Sequence, residues 1–182
     1  MGKSTCAELL RKRGVAVIDT DVLARELVEP GQDAFAEIVA AFGVDLIDSS
    51  GRLRRDVLAK RVFSDSQARQ TLETILHPRI RTAWKNQLEQ WSASGTQTAA
   101  VVIPLLFETR AEAEFGSIVC VACTAHTQRQ RLTDRGWSIE QASQRIASQL
   151  PIEEKMARSH FVIWTEGGMD VHAAQLDRIL RC

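Results

Sequence analysis

The residues best suited to chemistry stand at the very start of the chain, Gly2-Lys3-Ser4-Thr5, directly ahead of an amphipathic helix. They match the second half of the loop G-x-x-x-x-G-K-[ST], in which backbone N–H groups at a helix N-terminus cradle phosphates. In that chemistry the lysine neutralises the β- and γ-phosphates and the serine hydroxyl ligates Mg²⁺. Alone, the tetrapeptide also fits a solvated terminal segment. A second group lies in Val17-Ile18-Asp19-Thr20-Asp21-Val22-Leu23-Ala24-Arg25. Two carboxylates and an arginine at the C-terminal end of a strand lie where α/β sheets bind ligands. Asp21 could accept a hydroxyl proton there, and Arg25 could grip a phosphate through paired hydrogen bonds. Equally, Asp21 could be only an N-cap and Arg25 a solvated helix residue.

Two further groups are less specific. His77 precedes Pro78 and reads either as a ligand-side residue or as a helix boundary, while Glu108 ends Pro104-Leu105-Leu106-Phe107-Glu108, just past a strand. Gln128, Arg131, Arg135, Arg145, Gln149 and Lys155 form a basic, polar stretch, with Arg131 and Arg135 at i,i+4 spacing. It is either a solvated helix face or a lid that closes cations over a transferring phosphate.

Positioning these groups requires a sheet with helices on it. Strand patterns at Val15–Asp19, Thr98–Ile103, Ser117–Cys123 and His160–Trp164 alternate with helical ones. That order predicts an α/β fold with a parallel sheet flanked by helices, its strands buried on both faces. The first helix runs from about Ser4 to Arg13 with Gly14 as its C′ residue, and Asp21 opens the next. Phe35, Ile38, Val39 and Phe42 mark a helix closed by Gly43. From Asp48 to Trp91 the chain is mostly helical, with expected helices at Asp56–Phe63, Ser66–Leu76 and Pro78–Trp91. Trp84 and Trp91 fall on an apolar stripe and read as core residues. This block interrupts the strand–helix alternation, which makes it a candidate substrate-binding insert. A helix at Thr127–Arg135, a turn at Gly136 and a helix at Ser138–Gln149 follow.

Composition excludes several functions. Lys plus Arg equals Asp plus Glu, at 23 each, so no global field recruits nucleic acid or an anionic membrane. The longest apolar stretch, Ala99–Phe107, is broken by Pro104 and too short to span a bilayer. Cys120 and Cys123 read as CxxC, but an odd offset along a strand points the thiols to opposite faces, so they are expected to be packed core residues. The expected compartment is the cytosol.

In order, G-K-S-T, V-I-D-T-D-x-L-A-R-E-L, L-H-P, P-L-L-F-E, Q-x-x-R-L-x-x-R and R-I-x-x-Q resemble the dephospho-coenzyme A kinase family from Gly2 to about Gly168. The resemblance implies a single P-loop kinase domain over residues 1–182, with a helical substrate-binding region at about 48–91 and a lid at about 127–155. It implies transfer of the ATP γ-phosphoryl to the ribose 3′-hydroxyl of dephospho-coenzyme A, with Mg²⁺ on Ser4 and no nucleic-acid or membrane partner, in a monomer or weak oligomer. Gly2, Lys3, Ser4 and Thr5 would hold the nucleotide, and Asp21 would stand nearest the acceptor hydroxyl. Lys3, Arg131 and Arg135 would act on the phosphoryl group, and Arg25, His77, Glu108, Arg145 and Gln149 would face the substrate.

Three features depart from the family pattern. Val102 replaces a common aspartate, and Trp164-Thr165 replaces Asp-Asn in a segment that usually neighbours the adenine. The loop also lacks its first glycine and the strand that leads into it. Met1 is therefore expected to be an internal residue of a chain longer by ~10–20 residues. Two alternatives remain open: another P-loop nucleoside or nucleotide kinase, and a non-catalytic dephospho-coenzyme A binding protein.

Overall fold

The computed structural model describes residues 2–181, so Met1 and Cys182 lie outside the described residues. Four short strands are interleaved with nine helices among them, in an α/β arrangement. The chain divides into two compact units, residues 1–17 with 104–182 and residues 18–103.

The first unit opens with helix α1 (Lys3–Arg11). Gly14, at φ 77°, closes it: the Val15 N–H reaches the Leu10 carbonyl and the Gly14 N–H that of Arg11. These are the paired bonds of a Schellman motif, and they need the left-handed residue that glycine supplies. Strands β3 (Val119–Ala122) and β4 (Phe161–Trp164) pair in parallel, Val119 opposite Phe161 and Ala122 opposite Trp164. Helix α9 (Met169–Ile179) covers them, and Cys6, Leu9, Ile163 and Leu176 form the core with Leu10, Val121, Ala173 and Ile179 around it. Arg13 ties α1 to α9, donating to Asp177 at 2.6 Å. The sequence expectation of strands buried on both faces fails at β4. Ile163 is fully buried, yet Val162 and Trp164 on either side are 41% and 39% exposed. That is the period-two alternation of a strand covered on one face. Cys120 and Cys123 are both buried thiols, as their strand placement predicted.

Helices α6 (Ala125–Thr133), α7 (Ile139–Ala147) and α8 (Ile152–Ala157) connect β3 to β4. Ser138 and Gln141 form a reciprocal capping box at the start of α7.

In the second unit, α2 (Thr20–Glu26), α3 (Asp33–Phe42), α4 (Arg55–Ser64) and α5 (Ser66–Ala93) enclose a core of Val28, Ile38, Leu46, Leu53 and Leu58. Strands β1 (Ala16–Asp19) and β2 (Ala99–Val102) form a second two-stranded pair. The expected break at Pro78 does not occur: α5 runs unbroken for 28 residues. Proline removes one N–H from a helix interior. Leu72, Ile75 and Leu76 in the preceding turns pack on the core and hold the helix through it. Trp84 is buried, as its stripe implied.

Candidate active site

Gly2 takes a left-handed conformation at φ 80° and caps α1, its carbonyl accepting the first helical bond from the Cys6 N–H at 2.9 Å. The first turn of any helix offers N–H groups that have no acceptor four residues back, at the positive end of the helix dipole. Ser4 is exposed, while Lys3 and Thr5 are half-buried.

Thr165 lies directly against this turn. A Cβ placed on Gly2 would come within 3.1 Å of the Thr165 Cγ2 methyl, so the close approach and the positive φ both call for glycine. Thr165 is itself buried and firmly held. Its hydroxyl donates to the Ala122 carbonyl at 3.0 Å and accepts from Arg131 Nη1 at 2.8 Å. Arg131 Nη2 donates to the Thr165 carbonyl at 2.6 Å.

Arg131 and Arg135 do not share a helix face as their spacing suggested. Gly136, at φ 83°, closes α6 early: the Gly136 and Trp137 N–H groups return to the Thr133 and Leu132 carbonyls. Arg131 turns in to Thr165, and Arg135, beyond the helix end, is exposed. Arg145 stacks on the Trp137 ring at 5.1 Å, and Gln149 is half-buried after α7.

Two groups near this region carried no sequence signal. Glu166 accepts from the Thr124 N–H at 2.8 Å at the start of α6. Hydrogen bonds from Thr124, side chain and backbone, and then from Thr127 push the Glu166 carboxyl down to about 2. His172 in α9 is buried, and its Nε2 has no partner among the described residues. Burial, and then the positive charge of Arg131, push its pKa down.

In the second unit the ambiguity at Asp21 is resolved by its neighbour. Asp19, not Asp21, caps α2: its Oδ1 accepts from the Asp21 N–H at 2.9 Å. Thr20 is buried and donates to the Val102 carbonyl at 3.0 Å, which fixes the start of α2 to the end of β2. The Asp21 carboxylate is thus exposed in the first turn with no hydrogen bond or ion pair among the described residues, and Arg25 is exposed four residues on along the same face. Val102 contributes its backbone at this point, a role open to any side chain.

His77 lies inside α5 rather than at its boundary and is half-buried. Near Pro78, a groove of about 550 Å³ is lined by Leu27, Gln32, Ala34, Thr82, Ala83 and Asn86, among others. Glu108 belongs to the first unit, where its carboxylate meets the Lys155 ammonium at 2.6 Å and the Leu150 N–H at 3.0 Å. Burial, the largest single influence, would raise the Glu108 pKa, but the hydrogen bond from Lys155, those from the Glu108 and Leu150 backbone and the Lys155 charge together outweigh it, and the net shift is downward.

The family model described as "Dephospho-CoA kinase" matches residues 1–170. A dephospho-CoA kinase of Anaeromyxobacter dehalogenans is 43% identical over 180 residues, covering 98% of this chain and 85% of that protein. One from Bacillus anthracis is 38% identical, covering 99% and 90%. A crystal structure of TT1252 from Thermus thermophilus superposes with a TM-score of 0.81 at 31% identity, over 99% of this chain and 91% of that one. Dephospho-CoA kinase from Campylobacter jejuni gives a TM-score of 0.72 at 25% identity, over 99% and 90%. A left-handed glycine turn ahead of α1, an exposed carboxylate at the start of α2 and these matches agree: this chain belongs to the dephospho-CoA kinase family.

Proposed function

We propose that this protein transfers the γ-phosphoryl group of ATP to the ribose 3′-hydroxyl of dephospho-coenzyme A, the last step of coenzyme A biosynthesis. The observation that carries this reading is the Gly2-Lys3-Ser4 turn at the N-terminus of α1, within a chain matched by the family model over residues 1–170. The transition state of phosphoryl transfer is loose, so positioning and charge neutralisation supply most of the catalysis.

In this reading the N–H groups at the start of α1 and Thr5 line the nucleotide phosphates, and Lys3 neutralises the oxygens of the transferring group. Arg135, exposed beyond α6, adds positive charge, and Arg131 works from the base of the lid. Asp21 orients the acceptor hydroxyl and takes its proton. Its exposed carboxylate, spared from capping by Asp19, supports that role. Arg25 binds a substrate phosphate, with His77, Glu108, Arg145 and Gln149 on the substrate side. Residues 48–91 form the substrate-binding region and 127–155 the lid of one kinase domain.

The donor set also fits Mg²⁺. No cluster of three or more His, Cys, Asp or Glu residues that could cage a metal occurs among the described residues. The hard, exposed oxygen of Ser4 suits an ion that keeps its waters and shares substrate phosphates. When bound, Mg²⁺ would neutralise charge on the β- and γ-phosphates.

We place the protein in the cytosol, as a monomer or weak oligomer that acts on small molecules and binds neither nucleic acid nor membrane. Zero net charge supports this, as does the lack, among the described residues, of a helix long and apolar enough to cross a membrane.

The test is ADP release by the natively expressed protein with ATP, Mg²⁺ and dephospho-coenzyme A, set against a screen of nucleosides and nucleotides as acceptors. Release specific to dephospho-coenzyme A supports the assignment, whereas transfer to a plain nucleotide would make it a nucleotide kinase. Tight dephospho-coenzyme A binding without turnover would leave a binding protein.

A further inference from the structure

We propose that Thr165 is a positioning residue for the phosphate-binding turn, aimed by Arg131, and that this clasp sets the affinity for the nucleotide donor. The inference rests on the reading of Gly2-Lys3-Ser4 as the phosphate-binding segment.

The geometry leaves Thr165 one orientation. Its hydroxyl gives its proton to the Ala122 carbonyl and accepts from Arg131 Nη1, at 3.0 and 2.8 Å. Its backbone is held as well, the N–H by Ala122 at 2.9 Å and the carbonyl by Arg131 Nη2 at 2.6 Å. With the backbone and the hydroxyl both fixed, chirality at Cβ sets the direction of the methyl. That direction is toward Gly2, whose absent Cβ would lie 3.1 Å from Thr165 Cγ2 and 3.4 Å from Cβ.

Gly2 has no side chain to hold its own left-handed conformation, and glycine is the residue that moves most freely between conformations. The Thr165 methyl supplies the wall it lacks. The Lys3, Ser4 and Thr5 N–H groups follow Gly2 directly in the chain, so the wall acts on the aim of those donors. Aim matters most where charge must be met without reorganisation. Arg131 is bound to Thr165 in this structure, so its part in the clasp is distinct from direct contact with phosphate.

The experiment compares Thr165→Val and Thr165→Ser in the natively expressed protein. Steady-state kinetics are taken in each substrate, with ADP binding by titration calorimetry and folding by circular dichroism. Valine keeps the shape and loses both hydroxyl bonds. We expect KM for ATP and Kd for ADP to rise about tenfold, with KM for dephospho-coenzyme A within about twofold. Serine keeps both hydroxyl bonds but removes the methyl that stands against Gly2, so KM for ATP and Kd for ADP should rise at least about fivefold there as well. Should the valine variant fail to fold, Thr165→Ala removes the same bonds without a steric demand and carries the same expectation.

Unchanged ATP and ADP affinity in the valine or alanine variant overturns the inference. So does a parallel rise in both KM values, which a general loss of structure would produce, or a serine variant that matches the parent, which would show that the methyl does not hold the turn. A parent protein with no ATP-dependent turnover and no ADP binding would remove the functional reading and the inference with it. Normal parent kinetics with an unaffected valine variant would remove the inference alone.

Discussion

One oxygen of Glu108, Oε1, receives both the Lys155 ammonium at 2.6 Å and the Leu150 backbone N–H at 3.0 Å. Lys155 also donates to the Pro104 carbonyl at 3.3 Å, so the two ends of the Pro104–Glu108 segment are held by one side chain of α8. Lys155 is 7% exposed, which makes the pair interdependent. Breaking a buried pair from one side leaves an uncompensated charge, at a cost of about 3–5 kcal/mol. Glu108→Gln should therefore lower stability by about that much in urea unfolding. The folded-state pKa of Glu108 lies below its ordinary value. Its stabilisation is thus present above about pH 4.3, where the free side chain ionises, and is lost as pH falls through the lowered folded value. The parent should accordingly lose stability faster on acidification than Glu108→Gln does.

Asp21→Asn keeps the size of the side chain and removes its basicity. Positioned acid–base groups contribute about 10²–10⁴-fold, so kcat should fall by roughly that factor. KM for ATP should stay within about twofold, because the Asp19 cap and the Thr20–Val102 bond that shape the start of α2 are untouched. An unchanged turnover number would remove Asp21 from the mechanism.

His172 provides a second pH effect, with its own window. Its pKa is pushed down by burial and then by Arg131. The unfolded chain therefore takes up a proton near pH 6.5 that the folded protein resists. The neutral ring's contribution is present above that pH and declines as pH falls toward the lowered folded value. Melting temperature should drop between pH 7 and 5, and His172→Leu should show a shallower slope over the same range.

Pro78 sits inside α5 and cannot donate the hydrogen bond that a helix-interior residue normally makes. Pro78→Ala restores that donor and should raise stability by about 1–3 kcal/mol. Circular dichroism during urea unfolding measures the change. Pro78 also lines the groove beside α5, so KM for dephospho-coenzyme A in the same variant reports whether that groove meets the substrate.

What the sequence by itself determined was chemistry that works over a few residues. Glycine after α1, α3 and at the end of α6 announced helix ends, because a left-handed residue within reach of the last carbonyls is a local requirement. Gly-Lys-Ser ahead of a helix and Asp-Thr-Asp after a strand were legible for the same reason, as was the α/β alternation. Which aspartate caps α2 was not legible, since both have the right chemistry and only the backbone path gave the role to Asp19. The tertiary structure alone decided that Pro78 continues a helix, since packing on a distant core offsets a local defect. It alone turned Arg131 onto Thr165, 34 residues away, and joined Glu108 to Leu150, 42 residues away. Such pairings depend on how helices and strands pack, and a side chain's type and spacing carry no record of the neighbour that packing will bring.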